Sequence, residues 1–336
     1  MVALYVISSE IAAGKTAICA GVGKHLLRDG KKVGFIKPII ADTKNLTIEG
    51  TDSDVLFMKH ILALDEPVDC LCPVISDQNN LVNSIKEAYT KVSLGKDVVI
   101  VEGIGEQSQA SYQIVEALDA RVIIVEGYSK DLPKVKNSYK DFGEYLLGIV
   151  LNKVPRSRLD YLHNFLSTQF GEAGVNILGV LPEDRALFTL TVGELAEHIQ
   201  GEILNSAEKS VELVENFMLG AMCLDPGAEY FGRKANKAVV VRGERPDMQL
   251  AALETSIRCL VLSGNTAPIP AALYGAEDKK IPIILAKEDT IGTVTSIEDA
   301  LGKTRFNQEK KLPKLTEIME QHFNFQALYQ GLDLAK

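Results

Sequence analysis

Over roughly the first 184 residues, short β-branched runs alternate with longer stretches whose apolar residues recur at helical spacing. The pattern predicts strands at Leu4–Ile7, Lys32–Ile36, Val98–Val101, Val122–Val125, Leu147–Leu151 and Ile177–Leu181, with helical segments such as Lys15–Arg28 between most of them. Such alternation implies an α/β fold: a mostly parallel sheet with helices on both faces. A boundary falls near Ala186–Thr191, where Thr191 and Glu194 have capping-box spacing and Val192–Ile199 reads as the helix they start. A second, smaller α/β unit follows. Its expected strands are Val211–Met218, Ala238–Val241, Cys259–Leu262 and Ile281–Leu285, and its expected helices Asp247–Ile257, Pro270–Asp278 and Ile291–Leu301. The tail carries an amphipathic helix within Leu312–Phe323. The expected organisation is therefore 1–186, 192–304 and a helical tail at 305–336.

Ligands bind at the carboxyl ends of such strands, and the chemistry-bearing residues fall there. Directly after the first apolar run stands Ser8-Ser9-Glu10-Ile11-Ala12-Ala13-Gly14-Lys15-Thr16. Counted from Ser9, this is the phosphate-loop spacing x-x4-Gly-Lys-Thr with serine in place of the first glycine. A strand ending in a tight turn aims several backbone N–H groups at one anion, and the helix N-terminus adds partial positive charge. Ser9, Glu10, Ala13, Gly14, Lys15, Thr16 and Ala17 are the nucleotide-binding candidates. Lys15 would neutralise the β- and γ-phosphates and Thr16 would hold Mg²⁺, a hard cation. After the second strand, Lys37 could reach a terminal phosphate; with Lys15 it is the catalytic candidate. Asp54 stands where a helix cap would stand, and Val98–Val101 runs straight into Glu102-Gly103, as in a Walker B element. Thr16 and Glu102 are therefore the expected metal ligands, while capping alone would explain Asp54. Glu126-Gly127 repeats the pattern with no obvious partner. Asn152, after the fifth strand, and Pro182, in the Gly179–Pro182 segment, are candidates for the purine side.

Length and charge narrow the classes. A chain of 336 residues suits two cores, and a net charge of −9 without a basic cluster argues against nucleic-acid binding. The start, Met1-Val2-Ala3-Leu4-Tyr5-Val6-Ile7, lacks the basic opening and long apolar core of a signal peptide, and no apolar run reaches membrane-span length. A cytoplasmic protein without membrane association is expected. Five scattered cysteines lack zinc-site spacing.

Tyr5–Thr16, Gly34–Pro38, Ser53-Asp54, Val99–Gly103, Asn152 and Gly179–Pro182 occur in the order of the dethiobiotin synthetase family, which the first 186 residues resemble. The resemblance implies a P-loop NTPase-like domain that binds ATP and Mg²⁺, with Thr16, Asp54 and Glu102 as the metal shell and Lys15 and Lys37 attending the phosphates. Two segments depart from that family: Ile39-Ile40-Ala41-Asp42 and Ile104-Gly105-Glu106. Branched side chains fill a pocket and Glu106 would repel a nascent carboxylate, which argues against the biotin precursor as substrate.

Gly220-Ala221-Met222, Val240–Gly243 with Glu244-Arg245-Pro246-Asp247, and Leu262-Ser263-Gly264-Asn265 resemble a DRTGG domain. In known families that domain follows a dethiobiotin-synthetase-like domain at the front of some phosphotransacetylases, and it implies a sensor or assembly module. The chain stops where their catalytic domain would begin, so acetyl transfer is not expected of it. The leading expectation is an ATP- and Mg²⁺-binding regulatory protein, homodimeric or a higher homo-oligomer, with a partner enzyme of acetyl-phosphate metabolism. The alternatives are an ATP-dependent ligase acting on a carboxylate, and a scaffold with a decayed site.

Overall fold

A computed structural model describes residues 1–10, 12–40, 52–75, 80–104, 109–129, 140–162, 175–221, 227–302 and 304–334. The chain forms two compact units, Met1–Asp184 together with Phe306–Lys336, and Arg185–Arg305. The tail thus belongs to the first unit, although unit 2 separates it from that unit in sequence.

Unit 1 is built on β1 (Val2–Ile7), β2 (Val33–Ile36), a short pair β3 (Ile39–Ile40) and β4 (Val74–Ile75), then β5 (Val98–Glu102), β6 (Arg121–Gly127), β7 (Leu146–Val154) and β8 (Ile177–Pro182). The six long strands form one parallel sheet in the order β2-β5-β1-β6-β7-β8. All five residues of β5, and Ala3–Ile7 of β1, are buried. Since neighbouring residues on a strand face opposite ways, both faces of the sheet are covered, as the continuous apolar runs imply. The order places β1 between β5 and β6, so the loop leaving β1 is flanked by the acidic ends of both neighbours.

The tail is held by long-range packing. Its helix Leu312–His322 lies against helix Lys15–Arg28, where a Cβ on Gly21 would collide with Met319 Sδ. His25 stacks on Phe325 with ring centroids 3.4 Å apart, and Tyr329 donates to Asp29 Oδ2 at 2.8 Å. Asn324 N donates to Leu178 O at 2.6 Å, and Phe323 bridges Gly179 antiparallel to β8.

Unit 2 holds an antiparallel ribbon of β9 (Leu190–Thr191) with β11 (Leu213–Val214), and a sheet ordered β10-β15-β14-β13-β12. That sheet comprises β10 (Glu202–Ile203), β12 (Asn216–Gly220), β13 (Lys237–Arg242), β14 (Ile257–Ser263) and β15 (Ile283–Leu285); β10 alone is antiparallel, at one edge. Alternation along the strands divides its core, Val239, Val241, Leu260 and Leu262 facing one apolar cluster and Ala238, Val240, Cys259 and Val261 the other. The capping box at Thr191 and Glu194 is present with both its hydrogen bonds.

In unit 2 two elements depart from expectation by more than a residue or two at their ends. The stretch expected as one strand over Val211–Met218 is divided between β11 and β12, which join different sheets. The helix expected over Asp247–Ile257 is Pro246–Leu253, because Thr255 turns its N–H and hydroxyl back onto Ala252 O and Ile257 starts β14. Ala41, Asp42, Gly105, Glu106 and Met222, named above, lie outside the described residues. Among the described residues no helix is long and apolar enough to cross a membrane.

Candidate functional site

Among the described residues of the loop after β1, Ala12 with φ 61° and Gly14 with φ 102° depart from ordinary backbone. Gly14 is needed twice over: its φ is left-handed, and a Cβ there would collide with the Asn152 amide. Gly14 then caps helix Lys15–Arg28, and the Ile18 N–H reaches Gly14 O at 3.1 Å. Lys15 folds back along the loop, donating to Ser8 Oγ at 3.0 Å; burial lowers its pKa, with Lys37 adding and Glu102 opposing.

Three elements bring the expected metal residues together. Thr16, in the first turn of the helix, donates to Glu102 Oε1 at 2.8 Å. Lys37, just beyond β2, lies 2.8 Å from Asp52 Oδ2, 2.5 Å from Asp54 Oδ2 and 3.9 Å from Glu102 Oε1. Burial opposes the Lys37 charge, yet Glu102, Asp54 and Asp52 more than offset this and hold the ammonium above its ordinary pKa. Glu102 is 4% exposed, and burial raises its carboxyl above the usual range, with Lys37 and Thr16 opposing. The expectation that Asp54 stands at the cap needs correction. The cap of helix Ser53–Ile61 is Asp52, whose Oδ1 accepts from the Asp54 N–H at 2.8 Å, so the Asp54 carboxylate turns to Lys37 instead.

Among the described residues no three His, Cys, Asp or Glu side chains form a metal cage. The donor set is one hydroxyl and two carboxylates, and it contains two buried oxygens without hydrogen-bond partners, Asp54 Oδ1 and Glu102 Oε2. Hard oxygen donors, two of them without a hydrogen-bond partner, suit Mg²⁺, so these residues fit the ion.

The other flank of the loop was only partly foreseen. Asn152 and Lys153 lie within β7, not after it, at a register irregularity between Leu151 and Val154. Lys153 has φ 60°, and such a bulge re-aims side chains. Both turn onto the loop, Asn152 Nδ2 donating to Ala13 O at 2.9 Å and Lys153 Nζ to Ala12 O at 2.8 Å. Asn152 Oδ1 accepts from Lys153 N at 2.9 Å, so this amide first serves the loop backbone. Pro182 ends β8 opposite Val154. Glu126, which lacked an evident partner in sequence, accepts the Ser9 hydroxyl through Oε2. Ser8, Asp52 and Lys153 were missed by sequence reading; the clue available was adjacency, since each neighbours a residue that was named.

In unit 2, Arg245 grips Asp247 with two bonds, 2.9 Å from Nε to Oδ1 and 2.7 Å from Nη2 to Oδ2, and Arg242 pairs with Glu244 at 3.1 Å. Gly243 is required by close approach, since a Cβ there would strike the Thr266 backbone.

A family profile described as an AAA domain matches residues 2–189, and one described as a DRTGG domain matches residues 194–300. The chain belongs to this AAA domain family. Its DRTGG domain follows directly. Among curated relatives, a phosphate acetyltransferase of Nitratidesulfovibrio vulgaris is 22% identical over 358 residues, covering 96% of this chain and 50% of the relative. An ATP-dependent dethiobiotin synthetase of Caldicellulosiruptor saccharolyticus is 26% identical over 181 residues, covering 45% of this chain and 74% of the relative. Among solved structures, the Aquifex aeolicus MinD cell division protein aligns with a TM-score of 0.36 at 18% identity, over 56% of this chain and 84% of that one. The chain spans about half the length of the phosphate acetyltransferases it matches.

Proposed function

We propose that this chain is a cytoplasmic Mg·ATP-binding regulatory protein, similar to the front half of phosphate acetyltransferases. One observation carries the reading: Lys15 and Thr16 of the first helix, Lys37 beyond β2, Asp54 of helix Ser53–Ile61 and Glu102 of β5 converge beside a loop whose spacing is that of a phosphate cradle. In this reading the loop N–H groups and Lys15 bind the phosphates. Thr16, Asp54 and Glu102 hold Mg²⁺, which when bound neutralises phosphate charge and fixes the nucleotide's orientation. Lys37 keeps the two carboxylates together and balances their charge. Asn152 and Lys153 fix the loop backbone at Ala12 and Ala13, which preserves the cradle.

The regulatory part draws on the DRTGG domain, proposed as a self-associating module that passes nucleotide state to a second copy or to an enzyme of acetyl-phosphate metabolism. Nucleotide shifts such an assembly only if it favours one arrangement over another. Sedimentation at micromolar concentration, with and without Mg·ATP, tests this. A dimer whose population or shape changes with Mg·ATP is expected. A monomer throughout overturns self-association, and an unchanged dimer overturns the coupling.

A further inference from the structure

Glu126 has no part in the proposed nucleotide site, yet like Glu102 it is a buried carboxyl beside the loop with one oxygen left without a hydrogen-bond partner. It is 3% exposed at the end of β6, on the flank of β1 opposite Glu102. Its Oε2 accepts from Ser9, the residue standing where the phosphate-loop pattern has glycine. Its Oε1 is buried with no hydrogen-bond partner among the described residues. An ionised carboxylate is an acceptor only and would repel an entering polyphosphate, whereas a neutral carboxylic acid has one O–H to donate and no charge.

Burial, the largest influence, raises the carboxyl above its usual range; the Ser9 hydroxyl and the Ser9 backbone N–H oppose it, and Glu10, on the loop, adds like charge. Lys153 on β7 directs its ammonium to Ala12 O, and Lys15 directs its own to Ser8 Oγ.

We propose that Glu126 is a proton-linked specificity residue of the phosphate site, taking up one proton from solvent when a nucleoside polyphosphate enters the loop and then donating Oε1–H toward the anion. One O–H bond forms at the carboxylate as one bond to hydrogen breaks in the hydronium ion or buffer acid that supplies the proton, and no other covalent bond changes. The inference rests on the reading that the loop binds a nucleotide. Its sign follows from linkage: the carboxyl binds its proton more tightly in the complex, so affinity falls as pH rises between the free and bound values. The limit for one proton is about tenfold per pH unit.

The test is calorimetric titration of the full chain with Mg·ATP above about pH 7.5, where the nucleotide phosphates are already ionised, in two buffers of different ionisation enthalpy. The expected result is net uptake of up to one proton by the wild type, with affinity falling as pH rises. Glu126→Gln, which keeps an oxygen for Ser9 and places an N–H donor where the O–H would be, should bind at least as tightly and take up none. Binding without proton uptake, or uptake unchanged in E126Q, overturns the proposal and leaves the nucleotide reading standing. No binding by the wild type overturns both. If E126Q fails to fold, the wild-type uptake alone decides.

Discussion

Lys37 is the cation on which two buried carboxylates depend, and its removal should cost stability that Mg²⁺ can return. Its ammonium lies 2.5 Å from Asp54 and 3.9 Å from Glu102, whose side chains are 11% and 5% exposed, with Asp52 at 2.8 Å. At an effective dielectric of about 20, each pair near 4 Å is worth roughly 4 kcal/mol before desolvation, and breaking a buried pair costs a net of about 3 to 5 kcal/mol. Lys37→Met keeps all but the terminal atom of the side chain's length and removes the charge. With a urea slope of about 2 to 3 kcal/mol per molar, the unfolding midpoint of unit 1 should fall by roughly 1 to 2 M. The deficit should shrink on acidification. Lys37 is the main opponent of burial at Glu102, so in the variant this carboxyl rises further. A carboxyl raised in the folded state favours the protonated native form, and stability therefore grows as pH falls through that value. Mg²⁺ at about a hundred times its dissociation constant should restore about 2.7 kcal/mol. The assay is urea unfolding at neutral and acidic pH, with and without Mg²⁺. An unchanged midpoint, or a deficit indifferent to both Mg²⁺ and pH, refutes the reasoning.

Gly21→Ala should destabilise the protein by about 1 to 3 kcal/mol, because the added methyl meets Met319 on the tail helix. Met319→Ala should cost about 2 to 5 kcal/mol alone and less than the sum when combined with it, as thermal melts of the pair would show. Lys237 is fully buried in β13 with its ammonium donating to Ser256 O at 2.8 Å, and burial lowers its pKa. Lys237→Met should therefore stabilise unit 2 by about 1 to 2 kcal/mol near neutral pH. A lysine whose pKa is lowered by folding gains stability as pH rises toward about 10.4, so the advantage should narrow in alkaline urea titrations.

The loop and its lysine were legible because they depend on local order: an apolar strand, a turn and a helix within fifteen or so residues, with Gly14 imposed by its own φ. Glu102 was legible for the same reason. Glu126 carried the same local signal and was undervalued, since only the strand order, with β6 beside β1, supplies Ser9 as its partner. Asp52 and Asp54 are two residues apart, and sequence spacing alone does not say which one caps the helix and which faces Lys37. Asn152 was placed after a strand because the apolar run stops at Leu151; the bulge that keeps Asn152 and Lys153 inside β7 follows from pairing with β8. The tail helix was evident from its amphipathic pattern. Its seat on helix Lys15–Arg28 was not, because that contact joins residues about three hundred positions apart.

The central claim is that the loop Ser9–Thr16 holds Mg·ATP with Lys15 on the phosphates. Titration calorimetry of the full chain with Mg·ATP, repeated on Lys15→Ala, tests it most directly. The account predicts saturable binding by the wild type and loss of that binding in the variant, with melting behaviour that shows the variant still folded. Absence of binding to the wild type, or equal binding by the two proteins, contradicts it.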